Sequence, residues 1–483
     1  MELAYDLIAE YASADVVVEP AESKRVSCGI TWDSREVMPG FVYLALPGER
    51  VDGHDFIESA LASGAHAIIS SRDIEAKTLE AVHDAGAALL RVVSPFDALT
   101  ELARGWRGHL SGRVIALTGS TGKTTTKNLV RDVLSASFSV VATRANQNNE
   151  LGVPRTLLAA QADTDMVIVE MGMRGRGQIE GLCSFVKPDW GIVTNVGVSH
   201  IELLGSRENI ARAKAELPAA LPAKGVAFLN ADDDMTPFVR SVSGIDGSDV
   251  ECVLFDGYGV EPEGRECAVW AEDVVLDEGG HPRFVLCYRR GDDGLVERRE
   301  CALRLRGAHN VSNACSAAAV GLRAGMDIST VVDALASALP ESGRQDVACS
   351  AAGIVVVDDA YNASPDSMKA SLSTFAAMSV AGRRIAVLGD MGELGDYAEE
   401  GHFLVGSYAA RFAVDELVCV GELARIIACG AREAGLPSER IATIDSVDDA
   451  LEYVKERIVA GDAVLVKASH SMGLDRIAKG LLD

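Results

Sequence analysis

Residues 113–127 read RVIALTGSTGKTTTK, a short apolar run that ends near a glycine and leads into a polar, threonine-rich segment. The apolar run predicts a buried β-strand, and Leu129, Val130, Val133 and Leu134 form one stripe at helical spacing beyond it. A glycine-rich turn between a strand and a helix points successive backbone amides and the positive helix end at one place, where a phosphate group is held. The stretch therefore predicts a nucleotide-binding α/β domain.

The groups expected to surround a polyphosphate are consecutive in the chain. They are Gly119, Ser120, Thr121, Gly122, Lys123, Thr124 and Thr125. Lys123 supplies charge for the β- and γ-phosphates, and the Thr124 hydroxyl suits Mg²⁺. Leu117 stands where the usual spacing has its first glycine, but strand, loop and helix follow in the required order. The sequence has no Asn-Lys-x-Asp signature of guanine-nucleotide switches, so the loop alone leaves kinase, motor and ligase open.

Two further apolar runs end in residues that can take part in chemistry. Glu170 ends the run at 165–170, and His200 follows the run at 190–197. If both strands flank the phosphate-loop strand, the two side chains emerge on the ATP side of the sheet. A carboxylate suits Mg²⁺, whereas His is a less expected ligand that orients water or phosphate. Each residue alone is more often merely solvated or hydrogen-bonded, so the prediction depends on their joint placement.

Lys214 lies on a helix predicted to start near Ser206, with Ile210, Ala213 and Leu217 as its buried stripe. Because Lys214 flanks that stripe, partial desolvation is expected to lower its pKa. Spacing alone favours the simpler interpretation, an ordinary exposed lysine.

A chain of 483 residues exceeds one ordinary hydrophobic core, so several domains are expected. Residues 1–110 alternate short apolar runs and turns, which is typical of a small α/β unit. Residues 111–340 contain continuous apolar runs separated by helical stretches, which predicts a parallel sheet covered on both faces. The turn-rich segment from about 245 to 305 predicts antiparallel strands appended to that sheet.

Residues 341–483 begin a new α/β series. Apolar runs alternate with helical segments, and Ser364 followed by Pro365 predicts a helix start. This pattern predicts a doubly wound, Rossmann-like domain with functional groups at the carboxyl ends of its strands. The whole chain is thus expected to be a three-domain α/β protein.

Composition excludes several classes of protein. A formal net charge of −26 argues against non-specific nucleic-acid binding. No stretch approaches the roughly 20 apolar residues of a membrane span, and the first residues lack a signal-peptide pattern. The ten cysteines include no CxxC pair and are expected to be reduced core residues. We therefore expect a cytoplasmic protein.

Taken together, the motifs resemble the Mur ligase family of peptidoglycan synthesis, over nearly the whole chain. They are DSR at 33–35, PGERVDGHDF at 47–56, GSTGKTTTK at 119–127, NQNNELGVP at 146–154, VIVEMG at 167–172, VSHIELLGS at 198–206, ARAKAEL at 211–217, GAHNVSNACSAAAVGLRAG at 307–325, SGR at 342–344, VVDDAYNASPDSMKASL at 356–372, VLGDMGELG at 387–395 and DAVLVKAS at 462–469. The resemblance implies an amide ligase that uses ATP and one or two Mg²⁺ ions to activate a carboxylate as an acyl phosphate. The last-domain motifs favour the member that adds D-alanyl-D-alanine to UDP-N-acetylmuramoyl tripeptide.

The resemblance also implies roles for individual residues. Those implied for the uridine-linked substrate are Ser34, Arg35, Asp52, Gly53 and His54, with Asn148 and Asn149 near the sugar nucleotide. Those implied for the metal centre are Thr124, Glu170, His200 and Lys214, a lysine that is carbamylated in relatives; Lys123, His200 and Lys214 are the implied catalytic residues. Those implied for ATP, besides the phosphate loop, are Asn310 and Asn313 at the adenine, Arg344 at a phosphate and Asp359 where the last domain meets the nucleotide. Candidates for the incoming dipeptide are Asp390, Glu393, Lys467 and Ser469.

Some positions depart from the family pattern. Thr121 replaces a common Asn, two arginines occur in MGMRGRGQI at 171–179, and KAS at 467–469 stands where KGS is usual. The arginines leave substrate contacts at that segment open.

Several alternatives remain open. The preceding ligase, which adds diaminopimelate or lysine, usually carries an Asp-Asn-Pro motif in the last domain that is absent here. Folylpolyglutamate-type ligases share the phosphate loop but lack the uridine segment. A non-catalytic nucleotide-binding homologue is disfavoured by the retained Lys123, Glu170 and Lys214. The tripeptide's third residue stays undetermined, and a monomer is expected.

Overall fold

The computed structural model describes residues 1–22, 26–48, 51–264, 267–291, 294–341, 343–412 and 414–483. Glu49 and Arg50 of the motif at 47–56, and Ser342 of the motif at 342–344, lie outside the described residues. Three main sheets follow one another along the chain, each covered by helices. This is the predicted three-domain α/β architecture; the limits at 110 and 340 stay predictions.

The first sheet is small and mixed. Its domain contains β1 (Leu3–Ala4), α1 (Tyr5–Tyr11), β2 (Asp15–Val18), β3 (Val26–Ser27), β4 (Gly29–Thr31), β5 (Phe41–Leu44), α2 (Ile57–Ala62), β6 (Ala67–Ser70), α3 (Ala76–Ala85), β7 (Ala88–Arg91) and α4 (Pro95–Arg107). The sheet order is β2-β7-β6-β5-β4, with β1 and β3 forming a separate pair. Two 3-10 turns, Ser34–Glu36 and Gly53–Phe56, connect its elements.

The central sheet has nine strands among the described residues. Its strands are β8 (Arg113–Thr118), β9 (Val140–Ala142), β10 (Met166–Glu170), β11 (Trp190–Val193), β12 (Val226–Asn230), β13 (Glu251–Asp256), β14 (Cys267–Leu276), β15 (Pro282–Arg289) and β16 (Val296–Ala302). Its helices are α5 (Lys123–Ser135), α6 (Gly152–Ala159), α7 (Gln178–Val186), α8 (Ile201–Leu204), α9 (Arg207–Ala219), α10 (Thr236–Ser243), α11 (His309–Arg323) and α12 (Ile328–Ser337), with a 3-10 turn at Ile245–Gly247.

The strand order positions the functional groups. The sheet runs β16-β15-β14-β13-β12-β11-β8-β10-β9, so β8 lies between β10 and β11, parallel to both. The carboxyl ends of these three strands therefore share one edge of the sheet, as the sequence prediction required.

The antiparallel strands predicted for residues 245 to 305 are present: β15 is antiparallel to both β14 and β16, and these strands extend the central sheet. The region also contains two parallel pairings that were not predicted, β13 with β12 and β14 with β13. Short strands with turn-rich connections do not reveal strand direction, because direction depends on where the chain re-enters the sheet.

The last sheet is mostly parallel and doubly wound. Its domain contains β17 (Asp346–Cys349), β18 (Val355–Asp358), α13 (Pro365–Ala377), β19 (Arg384–Gly389), α14 (Ala398–Arg411), β20 (Glu416–Val420), α15 (Ala424–Glu433), β21 (Ile441–Ile444), α16 (Val447–Lys455), β22 (Ala463–Lys467) and α17 (Asp475–Leu482), with 3-10 turns at Gly395–Tyr397, Ser438–Arg440 and His470–Met472. The order is β17-β18-β22-β19-β20-β21, in which only β17 is antiparallel to its neighbour. Ser364 caps α13 in a capping box, as predicted.

The first two domains share an apolar core, whereas the last domain has its own. Trp106 of α4 donates its indole N–H to the carbonyl of Ala160 at 3.0 Å, across the first boundary. The first two domains therefore pack as a continuous body.

Two sequence expectations concern the rest of the chain. All ten cysteines are free, but Cys28, Cys349 and Cys429 are exposed, so they are not all core residues. Among the described residues, no helix combines the length and the apolar composition that crossing a bilayer requires.

Candidate active site

At two positions of the phosphate loop, neighbouring atoms lie too close to the backbone for any residue except glycine. A Cβ at Gly119 would lie 1.8 Å from the hydroxyl oxygen of Thr194. A Cβ at Gly122 would lie 2.6 Å from Oδ1 of Asn313, and Gly122 has a φ of +74°. Both positions therefore need a residue without a side chain, and the loop backbone packs tightly beneath any bound group.

The loop is held by the segment that follows β11. The backbone N–H of Thr121 donates to Oδ1 of Asn195 at 2.9 Å, and Thr194 donates its hydroxyl to the Thr121 carbonyl at 2.7 Å. The hydroxyl of Ser120 accepts from the Gly197 N–H at 2.9 Å. Thr194 and Asn195 were not predicted as site residues, although both lie within the apolar run that ends at residue 197.

Lys123 opens α5 and folds back over the loop. Its ammonium donates to the carbonyls of Gly119 at 2.8 Å and Ser120 at 3.4 Å. Burial lowers the pKa of Lys123, and the carboxylate of Glu170 opposes that shift. The ammonium thus lies against the loop that would cradle a polyphosphate.

Glu170, at the end of β10, is 1% exposed and lies between groups from three segments. Its Oε1 accepts from Thr124 Oγ1 at 3.3 Å and from the Asn148 amide at 2.8 Å. Its Oε2 accepts no hydrogen bond from the described residues and lies 3.7 Å from the Lys127 ammonium. Arg344, from beyond the central sheet, donates to the same Thr124 hydroxyl at 3.0 Å.

His200 immediately precedes α8 in a left-handed conformation, with φ of +64°. Its Nδ1 lies 2.5 Å from Oε2 of Glu393, which belongs to the last domain. Burial lowers the pKa of His200; Glu393 opposes this, and the charges of Lys123 and Lys214 add to it. The imidazole therefore lies where the central and last domains meet.

Lys214 is more deeply buried than its sequence position suggested. The residue is 1% exposed, because α9 packs against β11, α7 and α10. Burial lowers the pKa of Lys214 well below its ordinary value, the charge of Lys123 lowers it further, and Asp233 opposes the shift. Among the described residues, no hydrogen bond or ion pair to its ammonium is found.

These groups surround a cleft of about 1750 Å³ between the central and last domains. The predicted residues that line it are Ser120, Thr121, Gly122, Lys123, Thr124, Thr125, Asn148, Asn149, Glu170, His200, Asn310, Asn313, Arg344, Asp359, Glu393, Lys467 and Ser469. Those that do not are Gly119, Lys214, Asp390, Ser34, Arg35, Asp52, Gly53 and His54. Lys214 nevertheless lies close enough for its charge to act on Lys123 and His200.

The two asparagines of α11 form a chain of hydrogen bonds next to α5. Asn313 donates to Asn310 at 2.9 Å and accepts from the Thr126 hydroxyl at 3.1 Å. Asn310 donates to the Arg306 carbonyl at 2.6 Å. Both amide groups are thus fixed at the cleft wall.

The predicted uridine residues form a separate cluster in the first domain. They are Ser34 and Arg35 in one 3-10 turn, and Asp52, Gly53 and His54 around the other. The Arg35 side chain is 87% exposed and pairs with Asp33 at 2.6 Å. His54 pairs with Asp52 at 2.6 Å and is largely buried. The Arg35 guanidinium is held by Asp33, which accepts from its Nε at 2.9 Å and from its Nη2 at 2.6 Å.

In the last domain, two of the predicted dipeptide residues are already paired. Lys467 donates to Asp359 at 2.7 Å and to the Asn362 carbonyl at 2.9 Å. Asp390 accepts from the Ala424 N–H at 2.7 Å, at the start of α15. Asp390 therefore stabilises a helix start and does not face the cleft.

Glu393 and Ser469 remain on the cleft wall. Ser469 accepts from the Gly392 N–H at 2.8 Å, and Glu393 adopts a φ of +61° that directs it toward His200. Arg207 also lines the cleft but was not predicted, and it donates to the Val196 carbonyl at 2.8 Å. It directly follows the helix cap, and no sequence spacing marks it as a site residue.

Comparisons with known proteins cover all three domains. Residues 28–107 match the Mur ligase family catalytic domain, residues 117–321 the Mur ligase middle domain, and residues 343–470 the Mur ligase glutamate ligase domain. The UDP-N-acetylmuramoyl-tripeptide--D-alanyl-D-alanine ligase of Mycobacterium leprae is 38% identical, over 98% of this chain and 96% of that protein. The enzyme of the same name from Bacillus subtilis is 32% identical, over 97% and 96%.

Solved structures agree with these sequence matches. A crystal structure of MurF from Acinetobacter baumannii superposes with a TM-score of 0.83 at 27% identity, covering 100% of this chain and 99% of that one. MurF from Thermotoga maritima in complex with ADP gives a TM-score of 0.75 at 28% identity, covering 94% and 97%. The chain belongs to the Mur ligase family.

Proposed function

We propose that this chain joins D-alanyl-D-alanine to the terminal carboxylate of UDP-N-acetylmuramoyl tripeptide, forming the pentapeptide precursor of peptidoglycan with release of ADP and phosphate. It is an ATP-dependent peptide ligase. The observation that carries the proposal is that the phosphate loop, Glu170 and His200 line one cleft closed on its other side by the last domain. Full-length similarity to ligases named for this reaction supports the choice of substrates.

We assign ATP to the part of this cleft next to α5. The loop amides and Lys123 would hold the β- and γ-phosphates, with Arg344 beside Thr124 at 3.0 Å. Asn310 and Asn313 would contact the adenine, and the ADP complex of a relative supports nucleotide use. Asp359 would mark where the last domain meets the nucleotide.

The residues present fit Mg²⁺. Thr124 and Glu170 offer hard oxygen donors, and the buried Oε2 of Glu170 accepts no hydrogen bond from the described residues. Within the described part of the chain, no three His, Cys, Asp or Glu side chains form a ready-made cage. Such a site suits one or two ions that keep phosphate and water ligands, with His200 beside them. When bound, Mg²⁺ neutralises charge on the transferring phosphoryl group.

We further propose that Lys214 is carbamylated. The residue is 1% exposed, its amine has no hydrogen bond or ion pair among the described residues, and its lowered pKa favours the neutral amine. The amine nitrogen would bond to the carbon of carbon dioxide and release a proton to solvent, which leaves a carbamate anion near Lys123. Intact-mass measurement tests this proposal. Carbamylation should increase the mass by about 44 Da, the mass of one carbon dioxide. Acid treatment should remove the increase, and K214M should lack it.

The chemistry has two steps. An oxygen of the tripeptide carboxylate attacks the γ-phosphorus of ATP, and ADP leaves with the electron pair of the broken P–O bond. The dipeptide amine then attacks the acyl carbon and loses a proton to solvent, and inorganic phosphate leaves. Lys123 and the loop amides stabilise charge during the first step. His200 would align the carboxylate, and we do not assign it as a general base.

The substrates would enter from two sides. Ser34, Arg35 and the turn at 52–54 would hold the uridine diphosphate, and Asn148 and Asn149 the sugar end. The exposed Arg35 guanidinium supports a phosphate contact.

For the dipeptide, Glu393 and Ser469 are the better candidates, since both line the cleft. Lys467 would act indirectly through Asp359, and Asp390 through the start of α15. Closure of the last domain would exclude water from the acyl phosphate. Scattering profiles that do not change with an ATP analogue plus uridine substrate would contradict closure.

We place the reaction in the cytoplasm and expect a monomer. The deciding experiment measures phosphate release from UDP-muramoyl tripeptides ending in lysine or diaminopimelate, with D-alanyl-D-alanine, diaminopimelate or lysine as the amine. Turnover only with the dipeptide supports the proposal, and the preferred tripeptide identifies the third residue. Turnover only with single amino acids would indicate the preceding ligase, and nucleotide binding without turnover a non-catalytic homologue.

A further inference from the structure

A second lysine of α5 lies behind the active site. Lys127 is one helical turn beyond Lys123, is 1% exposed and does not line the cleft. Its ammonium lies 3.7 Å from Oε2 of Glu170 and donates to the carbonyl of Ala145 at 2.7 Å. It therefore contacts both Glu170 and a neighbouring loop without reaching the nucleotide.

The loop that contains Ala145 also contacts Glu170 directly. Ala145 has a φ of +45°, a conformation that residues with a side chain rarely adopt, and its carbonyl accepts from Lys127 at 2.7 Å. Three residues later, Asn148 donates its amide to Oε1 of Glu170 at 2.8 Å. The two carboxylate oxygens thus lie next to two anchors of one loop, residues 145–149.

The same loop leads directly to the first domain. Asn149 accepts from the Gly152 N–H at 3.1 Å and caps α6. On α6, Arg155 pairs with Glu36 and lies 5.0 Å from the ring of Trp32. Glu36 belongs to the 3-10 turn Ser34–Glu36, which is assigned to the uridine-linked substrate. A continuous set of contacts therefore joins the phosphate loop to that turn.

A buried ammonium is unfavourable unless it is paired. Lys127 has one hydrogen bond and one ion pair at 3.7 Å, which is modest compensation for a nearly fully buried charge. A neutral donor would satisfy either Glu170 or the Ala145 carbonyl alone. The positive charge is explained if it holds Glu170 and the loop in fixed positions relative to each other.

We propose that Lys127 is a positioning residue that fixes Glu170 and the loop 145–149 together, so that nucleotide–magnesium binding and uridine-substrate binding strengthen each other. This inference rests on the proposed function for the identity of the two ligands. It requires no contact between Lys127 and either ligand. Couplings of this kind typically change affinity by about 5- to 150-fold.

The test compares K127M, K127Q and K127R with K455M, which replaces an exposed lysine on α16. Calorimetry measures the affinity of ADP across a Mg²⁺ titration, with and without UDP-muramoyl tripeptide. In the wild type and K455M, we expect the tripeptide to tighten magnesium–ADP binding by about tenfold. In K127M, this factor should fall below about twofold, and the Mg²⁺ needed for half-maximal ADP binding should rise at least about fivefold.

The other variants separate the contributions of Lys127. K127Q keeps a donor for Ala145 without the charge, and K127R keeps both, so coupling should recover partly in K127R and less in K127Q. If K127M does not fold by circular dichroism, K127Q takes its place, because it removes the charge while keeping a donor for Ala145, and its coupling should also fall. Wild-type-like coupling and Mg²⁺ demand in folded K127M, or in K127Q in its place, would overturn the inference. A wild type that binds neither ligand would instead contradict the proposed function.

Discussion

Two buried lysines, one in the last domain and one in the central domain, have opposite surroundings. Lys467, at the end of β22 in the last domain, is 3% exposed and donates to Asp359 and to the Asn362 carbonyl. Lys214, on α9 of the central domain, is 1% exposed, and no hydrogen bond or ion pair for it is found among the described residues. The Lys467 ammonium is part of a satisfied network, whereas the charge of Asp233 is the only influence within the described part of the chain that opposes the lowered pKa of Lys214.

This difference distinguishes a lysine whose burial stabilises the fold from one whose burial suits a chemical role. A paired buried charge fixes local structure, and removing one partner leaves the other unsatisfied. An unpaired buried amine is unfavourable for folding, so its presence points to a task outside stability. The carboxylates of the two domains also differ: Asp390 accepts a hydrogen bond from the Ala424 N–H, whereas Oε2 of Glu170 accepts none from the described residues and lies 3.7 Å from the Lys127 ammonium.

The largest expected effect is on the paired lysine. K467M should lower the free energy of unfolding of the last domain by about 3–5 kcal/mol, because Asp359 would stay buried without its partner. Urea unfolding followed by circular dichroism measures this, with K455M as the exposed control. The double variant K467M/D359N should recover part of the loss. An unchanged unfolding midpoint in K467M would show that the pair contributes nothing.

At the unpaired Lys214 we expect the reverse, a large loss of activity without a loss of stability. K214M should reduce phosphate release by about 100-fold, while its unfolding midpoint stays equal to or above that of the wild type, since methionine buries no unpaired amine. Activity assays and thermal unfolding are run on the same preparations. A destabilised K214M that retains its activity would reverse the comparison.

Replacing the paired carboxylate of Asp462 should have a smaller effect on stability, and this effect should depend on pH. Burial acts to raise the pKa of Asp462, but hydrogen bonds from Arg383 and the backbone outweigh it and hold that pKa below its usual value. Its stabilisation is therefore present above the unfolded pKa of about 4 and is lost as pH falls through the folded pKa. D462N should be about 2 kcal/mol less stable than the wild type at pH 7.

The difference should begin to shrink below about pH 4, where Asp462 becomes protonated in the unfolded chain, and should disappear once the pH falls below the lowered pKa of the folded protein. Denaturant midpoints measured from pH 7 to pH 3 give this dependence. A stability gap that stays constant with pH would show that the charge of Asp462 is not what stabilises the wild type.

The smallest effect is expected at an exposed pair. Arg174 has a side chain that is 73% exposed and lies 3.6 Å from Glu393. R174A should change phosphate release by less than about threefold and the free energy of unfolding by less than about 1 kcal/mol, because exposed ion pairs contribute little. A tenfold rise in KM for the tripeptide would instead assign this arginine to substrate binding.

Much of the fold could be predicted from local patterns. The continuous apolar runs predicted buried parallel strands, and the Ser364-Pro365 pair marked the start of α13. The direction of β13 and β14 could not be predicted, because strand direction depends on non-local pairing.

The sequence by itself determined the phosphate loop, since glycine spacing and the strand-loop-helix order are local, chain-encoded constraints. It also contained Glu170 at the end of one apolar run and His200 shortly after another. Only the tertiary structure decided that β10 and β11 flank β8, that Lys214 is fully buried, and that Asp390 faces a helix start. Burial and pairing arise when distant segments exclude water from the same volume, and no local pattern encodes which segments those are.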